Sequence, residues 1–137
     1  MKMDIMIIDD TVDQLEIMRL VFKKVDPNLQ IVTVNRGSEA INILRSNLNA
    51  LPKVILLDVR MPGKNGKDIL IELKSDKNLK RIPVCMFSNG SIEADVYDSY
   101  ENGASFYFEK PMGIQNLTTF VEHFKAIWFE LASLCKI

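Results

Sequence analysis

What most constrains this chain is a rhythm: short aliphatic runs with no polar residue inside them, separated by longer stretches of helical periodicity. Ile5-Met6-Ile7-Ile8, Val54-Ile55-Leu56-Leu57 and Val84-Cys85-Met86-Phe87 are such runs. A strand without apolar–polar alternation is buried on both faces, which requires a parallel sheet with helices on each side. Ile31, Val32 and Val34 supply a second strand and Phe106-Tyr107-Phe108 a fifth. Between the first two, Leu15, Met18, Phe22 and Val25, with Ile17 and Val21, sit three and four residues apart, as on a helix. Ala40, Ile41, Leu44 and Leu48 mark a second helix, which Ser38 can cap. Ile69, Leu70 and Leu73 mark a third, and Val96 and Tyr100 a fourth, opened by Ser91 and closed by Gly103. A final helix is expected from about Gln115 to the end. The pattern is (βα)5, and right-handed crossovers reduce it to a doubly wound, five-stranded parallel sheet.

Composition excludes several classes. The 137 residues fit one domain, 1–137. Seventeen basic and eighteen acidic residues leave a net charge of −1, without the basic footprint of a nucleic-acid binder. The purely aliphatic or Met runs reach only four residues, far short of the ~20 of a membrane span, and no long apolar signal core follows the N-terminus. Cys85 and Cys135 lie far apart with no His or Cys beside them, which argues against a disulfide framework or zinc site and for a reducing, cytoplasmic setting. His123, the only histidine, reads as a partly exposed helical residue, and Cys85 as core packing.

The chemistry gathers where the strands end. Asp9-Asp10 follow strand 1, Asp58 follows strand 3, Ser88 strand 4 and Lys110 strand 5. In an open parallel sheet the carboxyl ends of the strands form one ligand-binding edge, so these sequence-distant residues meet in one crevice. Clustered carboxylates need a counter-charge. An all-oxygen donor set with open positions suits Mg²⁺, and Lys110 adds one ammonium. Such a site can receive a phosphoryl group, with a carboxylate as nucleophile. Taken singly, each of these aspartates reads more readily as a turn residue or helix cap; together they form a site.

With those residues in place, the chain resembles a response-regulator receiver domain, the phosphoacceptor module of two-component signalling, of the single-domain, chemotaxis-like type. The resemblance rests on Ile7-Ile8-Asp9-Asp10, on Leu56-Leu57-Asp58-Val59-Arg60-Met61-Pro62 with Gly66, on Ser88, and on Tyr107-Phe108-Glu109-Lys110-Pro111. It covers about residues 3–125, leaving about 126–137 as a C-terminal helix extension. It implies a flavodoxin-like fold with strand order 2-1-3-4-5. It also implies that Asp58 accepts phosphate and that Asp10 holds Mg²⁺ directly, with Asp9 acting largely through water. The Arg60 backbone carbonyl would be a further metal ligand. Ser88 would bond the phosphoryl group, Lys110 would pair with Asp58 and then with the phosphate, and Tyr107 would be the rotating switch aromatic, turning inward after phosphorylation. Lys110-Pro111 is usually a cis peptide in this family. Asn89 stands where the family has a small residue, and Arg60 can reach over the site; both bear on transfer and hydrolysis. Tyr100-Glu101-Asn102-Gly103-Ala104 and Trp128-Phe129 resemble the small receivers that pair with bacterial phytochrome kinases.

The expected partners are a sensor histidine kinase and a downstream protein that reads the helix 4, strand 5 and helix 5 face. In the last helix Leu117, Phe120, Phe124, Ile127, Leu131 and Leu134 repeat at three and four residues, with Val121, Trp128 and Cys135 beside them. A helix from Gln115 to Lys136 would run ~33 Å, beyond the ~20 Å of a sheet strand. Ile127, Trp128, Leu131 and Leu134 are therefore expected to overhang and to form a dimer or partner interface. Two other classes compete. An aspartyl phosphohydrolase would carry Asp-x-Asp after strand 1, whereas Asp58 follows strand 3. A flavin-binding domain would need a hydroxyl- and Gly-rich phosphate loop where Asp9-Asp10 stand.

Overall fold

A computed structural model describes residues 2–134 apart from Pro62, Lys64 and Ser91. The expected helix cap at Ser91 and the stripe position at Cys135 lie outside the described residues. Five strands and five helices alternate: β1 Ile5–Ile8, α1 Val12–Val25, β2 Ile31–Val34, α2 Gly37–Arg45, β3 Val54–Asp58, α3 Gly66–Ser75, β4 Val84–Ser88, α4 Glu93–Glu101, β5 Phe106–Glu109 and α5 Ile114–Lys125. The strands pair in parallel in the order β2-β1-β3-β4-β5.

The two sheet faces carry separate cores because neighbouring side chains on a strand point to opposite sides. Ile5, Ile7, Val54, Leu56, Cys85 and Phe87 face α1 and α5, meeting Met18, Phe22, Val121 and Phe124. Met6, Ile8, Ile55, Leu57, Val84 and Met86 face the other side, where α2 and α3 bring Ile41, Leu44, Ile69 and Leu70. β1, β3 and β4 are buried throughout. The outer strands depart from double-sided burial: β2 is mostly half-buried, and Phe106 of β5 is exposed. Each has a neighbour on only one side, so cover from the helices runs out at the sheet edges.

Three local expectations need correction. α2 begins at Gly37 with Arg36 at its N-cap, so Ser38 lies inside the first turn, and the helix ends at Arg45, before Leu48. The Lys110–Pro111 peptide is trans, the intrinsically favoured isomer. The last helix does not run on as a straight rod. α5 ends at Lys125 and gives way to a π-helical turn, Ala126–Leu131, closed by the Ala132 amide on the Ile127 carbonyl (2.8 Å). The wider turn brings Trp128 and Phe129 onto the core: Trp128 tilts on Phe124 at 6.2 Å, and Lys53 Nζ lies 5.7 Å from the Phe129 ring centre. Ile127 and Leu131 are exposed as expected, whereas Trp128 and Leu134 are half-buried. Among the described residues, no helix is long and apolar enough to cross a membrane.

Candidate functional site

The carboxyl ends of β1, β3, β4 and β5 meet at one edge because the sheet is parallel and in register, Asp58 pairing with Phe87 and Ser88 with Glu109. Asp9 follows β1 and is fully buried; its Oδ1 accepts from the Thr11 amide at 3.0 Å, which fixes its rotamer. Asp58 ends β3 and is also buried. Its Oδ1 accepts from the Arg60 amide at 3.3 Å. Lys110 Nζ reaches both carboxylates, 3.2 Å from Asp9 Oδ2 and 3.5 Å from Asp58 Oδ2, and lies 4.9 Å from the Phe87 ring centre. With half-buried Asp10, the three aspartates offer oxygen atoms that all lie within 4.8 Å of one another.

Gly66 makes this edge possible. A Cβ there would stand 2.1 Å from the Asp58 carbonyl oxygen and 2.9 Å from Val59 Cα, a distance no side chain tolerates. Its amide instead donates to the Val59 carbonyl at 3.0 Å, so α3 starts hard against the end of β3. The motif marks Gly66 without its reason, since only the packed backbones reveal the close approach.

A cavity of about 350 Å³ opens over the cluster, lined by Asp10, Asp58, Ser88 and Lys110, with Arg60 and Asn89 on its walls. Burial pushes the Asp58 carboxyl up to about 7; the neighbouring Asp9 charge pushes the same way, and Lys110 opposes both without cancelling them. The site is thus short of positive charge. Its donors are all hard oxygens, and one ammonium faces three carboxylates, which fits a divalent cation of the Mg²⁺ kind.

Ser88 is buried; its hydroxyl donates to the Gly90 carbonyl and lies 3.0 Å from the Tyr107 hydroxyl. Tyr107, the expected switch aromatic, is turned inward in this structure. The Ser88 contact holds its tip, and its amide donates to the Tyr100 hydroxyl at 3.1 Å. Arg60 does lean over the site as expected, and its guanidinium ends on Asp95 of α4. No sequence signal marks Asp95, because the pair joins residues 35 positions apart. His123 is exposed, on α5. Cys85 is buried, and burial pushes its thiol up to about 12.

The sequence pattern of the family described as response regulator receiver domain matches residues 5–122. The response regulator Rcp1 of Synechocystis sp. is 28% identical over 134 residues, covering 95% of this chain and 91% of that one. Among solved structures, the phosphorylated cyanobacterial phytochrome response regulator RcpA superposes with a TM-score of 0.89 at 30% identity, over 99% of this chain and 100% of its own. The Mn²⁺-bound form of Rcp1 gives 0.84 at 28% identity, covering 96% of this chain and 98% of its own.

Proposed function

This chain belongs to the response regulator receiver family of two-component signalling, and from that premise we propose that Asp58 is its phosphoacceptor and a sensor histidine kinase its donor. Lys110 carries the assignment: it bridges Asp9 and Asp58 inside the oxygen cluster, at the edge where a parallel sheet binds ligands. An Asp58 carboxylate oxygen attacks the phosphorus of a phosphohistidine. The P–N bond breaks, its electron pair stays on the imidazole nitrogen, and an acyl phosphate forms on Asp58. Asp9, Asp10, Asp58 and the Arg60 carbonyl would hold Mg²⁺, which when bound neutralises phosphoryl oxygens. Lys110 neutralises another part of that charge, and Ser88 offers its hydroxyl to the phosphoryl group.

The same reading makes the chain one receiver domain, acting in the cytoplasm as a switch and transforming no substrate beyond its own phosphorylation and dephosphorylation. Its likeness to RcpA supports a kinase of the bacterial phytochrome class. The α4–β5–α5 face is the natural surface for a downstream protein, since Tyr107 links Ser88 of the site to Tyr100 of α4. A homodimer through the C-terminal turn would rest on Ile127 and Leu131, the exposed members of the stripe, without Trp128.

The test is labelling from acetyl phosphate with Mg²⁺. Asp58→Asn keeps the shape and removes the nucleophile, so label should vanish; labelling at the normal rate would remove the assignment. A receiver also releases no sustained phosphate from a phosphomonoester, which separates it from a phosphohydrolase.

A further inference from the structure

Arg60 stands between two cavities. It lines the pocket over Asp58 together with Ser88 and Lys110, and also an adjoining pocket bounded by Lys67 and Asp95. Its Nη2 donates to Asp95 Oδ2 in the first turn of α4. The pair is open to water, with the Arg60 side chain 64% and the Asp95 side chain 24% exposed. Exposed ion pairs of this kind contribute little. α4 has little else to hold it. Ser99 is its only buried residue, Val96 packs partly on the core, and its polar ties among the described residues include Lys67 Nζ to Asp98 Oδ2 at 3.3 Å and the Tyr107 amide to the Tyr100 hydroxyl at 3.1 Å. The first turn of α4 is thus tethered by a cation two residues from Asp58.

Building on the receiver reading above, we propose that Arg60 changes partner: it holds Asp95 while Asp58 is free, and turns onto the phosphoryl oxygens once Asp58 carries them, releasing the first turn of α4. Phosphorylation takes the acceptor from one negative charge to about two. A guanidinium forks onto carboxylate and phosphate oxygens alike; the greater negative charge of the phosphoryl group therefore decides the exchange, and the hydrogen bond it displaces runs from Arg60 Nη2 to Asp95 Oδ2. Of the described cations lining the cavity, Lys110 is 11% exposed and held between Asp9 and Asp58, whereas Arg60 is 64% exposed and has room to swing. The swing starts from a backbone already beside the acceptor, the Arg60 amide sitting 3.3 Å from Asp58 Oδ1. Asp95 is not stranded by it, since a carboxylate in the first turn of a helix is favoured by the helix dipole. The device couples charge on Asp58 to α4 by a route separate from Ser88 and Tyr107.

Linkage makes this testable: whatever the Asp95 pair withholds from the phosphoryl group returns as affinity when the pair is cut, about two- to fivefold for an exposed pair. The experiment titrates the full chain in Mg²⁺ with beryllofluoride, a phosphoryl mimic, and follows backbone amides by NMR. In the wild type, amides of Glu93–Asp98 should shift together with that of Ser88. In Arg60→Gln the Ser88 and Tyr107 responses should persist while the α4 first-turn response is largely lost, and Arg60→Lys should restore part of it. In Asp95→Asn the α4 signals should be displaced before titration, and beryllofluoride should bind two- to fivefold tighter. A full α4 response in Arg60→Gln, or unchanged affinity in Asp95→Asn, would overturn the partner change and leave the receiver reading intact. A wild type that binds no beryllofluoride would overturn both.

Discussion

Helices α3 and α4 border the same pocket, yet they are attached to the sheet by different physics. α3 buries Gly66, Ile69, Leu70 and Leu73, and Asn65 caps it by accepting from the Asp68 amide at 3.0 Å. Each of its aliphatic side chains adds roughly 1.5–3 kcal/mol by leaving water. α4 buries only Ser99, packs Val96 partly on the core, starts at Ile92 whose side chain makes no capping hydrogen bond, and among the described residues is tied by ion pairs and a tyrosine hydroxyl. Apolar burial is indifferent to charge, whereas ion pairs are not. In the pocket adjoining the site, the α3 wall is therefore held whatever the charge at Asp58, while the α4 wall is held by contacts that charge can alter.

Substitutions at the junctions break this contrast unequally. Gly66→Ala should have the largest effect: the added Cβ meets backbone and cannot be accommodated by a side-chain shift. A loss of about 3 kcal/mol or more is expected in chemical denaturation, and a loss below about 1 kcal/mol would show that the β3–α3 junction yields.

The next effect concerns charge at the foot of the rigid wall. Burial and Asp9 raise the Asp58 carboxyl from its unfolded value of 3.8 to about 7. A raised carboxyl means that the folded form binds its proton more tightly. Its stabilising contribution is therefore complete below about 3.8 and is lost as pH rises through about 7. With chelator present, the wild type should lose up to a few kcal/mol between pH 4 and pH 8 from this group. Asp58→Asn should flatten the slope, and Mg²⁺ should restore the wild type most at high pH. Thermal melts across pH read this directly, and parallel curves for wild type and variant without metal would contradict it.

Lys67→Ala should have the smallest effect. It removes the α3–α4 ion pair with Asp98, whose two side chains are nearly half exposed. Global stability should change by no more than about 0.5 kcal/mol. Hydrogen exchange of α4 amides should quicken while those of α3 hold, and equal acceleration in both helices would erase the distinction between the walls.

The sheet and the acidic cluster were readable from sequence because both depend on local signals. Uninterrupted aliphatic runs admit only doubly covered strands, and polar residues at their ends must share an edge. Three things depended on packing between distant segments. The need for Gly66 arises where two backbones meet, the Arg60–Asp95 pair closes across two elements, and the C-terminal turn is set by Trp128 and Phe129 seeking the core. The three-and-four spacing in the tail was real. That spacing alone does not mark where the chain widens from an α-helix into a π-turn.

That turn also gives the protein an optical handle. Trp128 is the only tryptophan in the chain, and it touches Phe124, next in a line of rings running through Phe120 and Phe108 to Phe87, beneath Lys110. Its indole is half-buried at the far end of that line, away from the acidic pocket. Its fluorescence will report whether the tail is docked on α5 and will be nearly blind to what binds at Asp58. Undocking of the C-terminal turn and occupancy of the site can therefore be followed as separate signals in one sample.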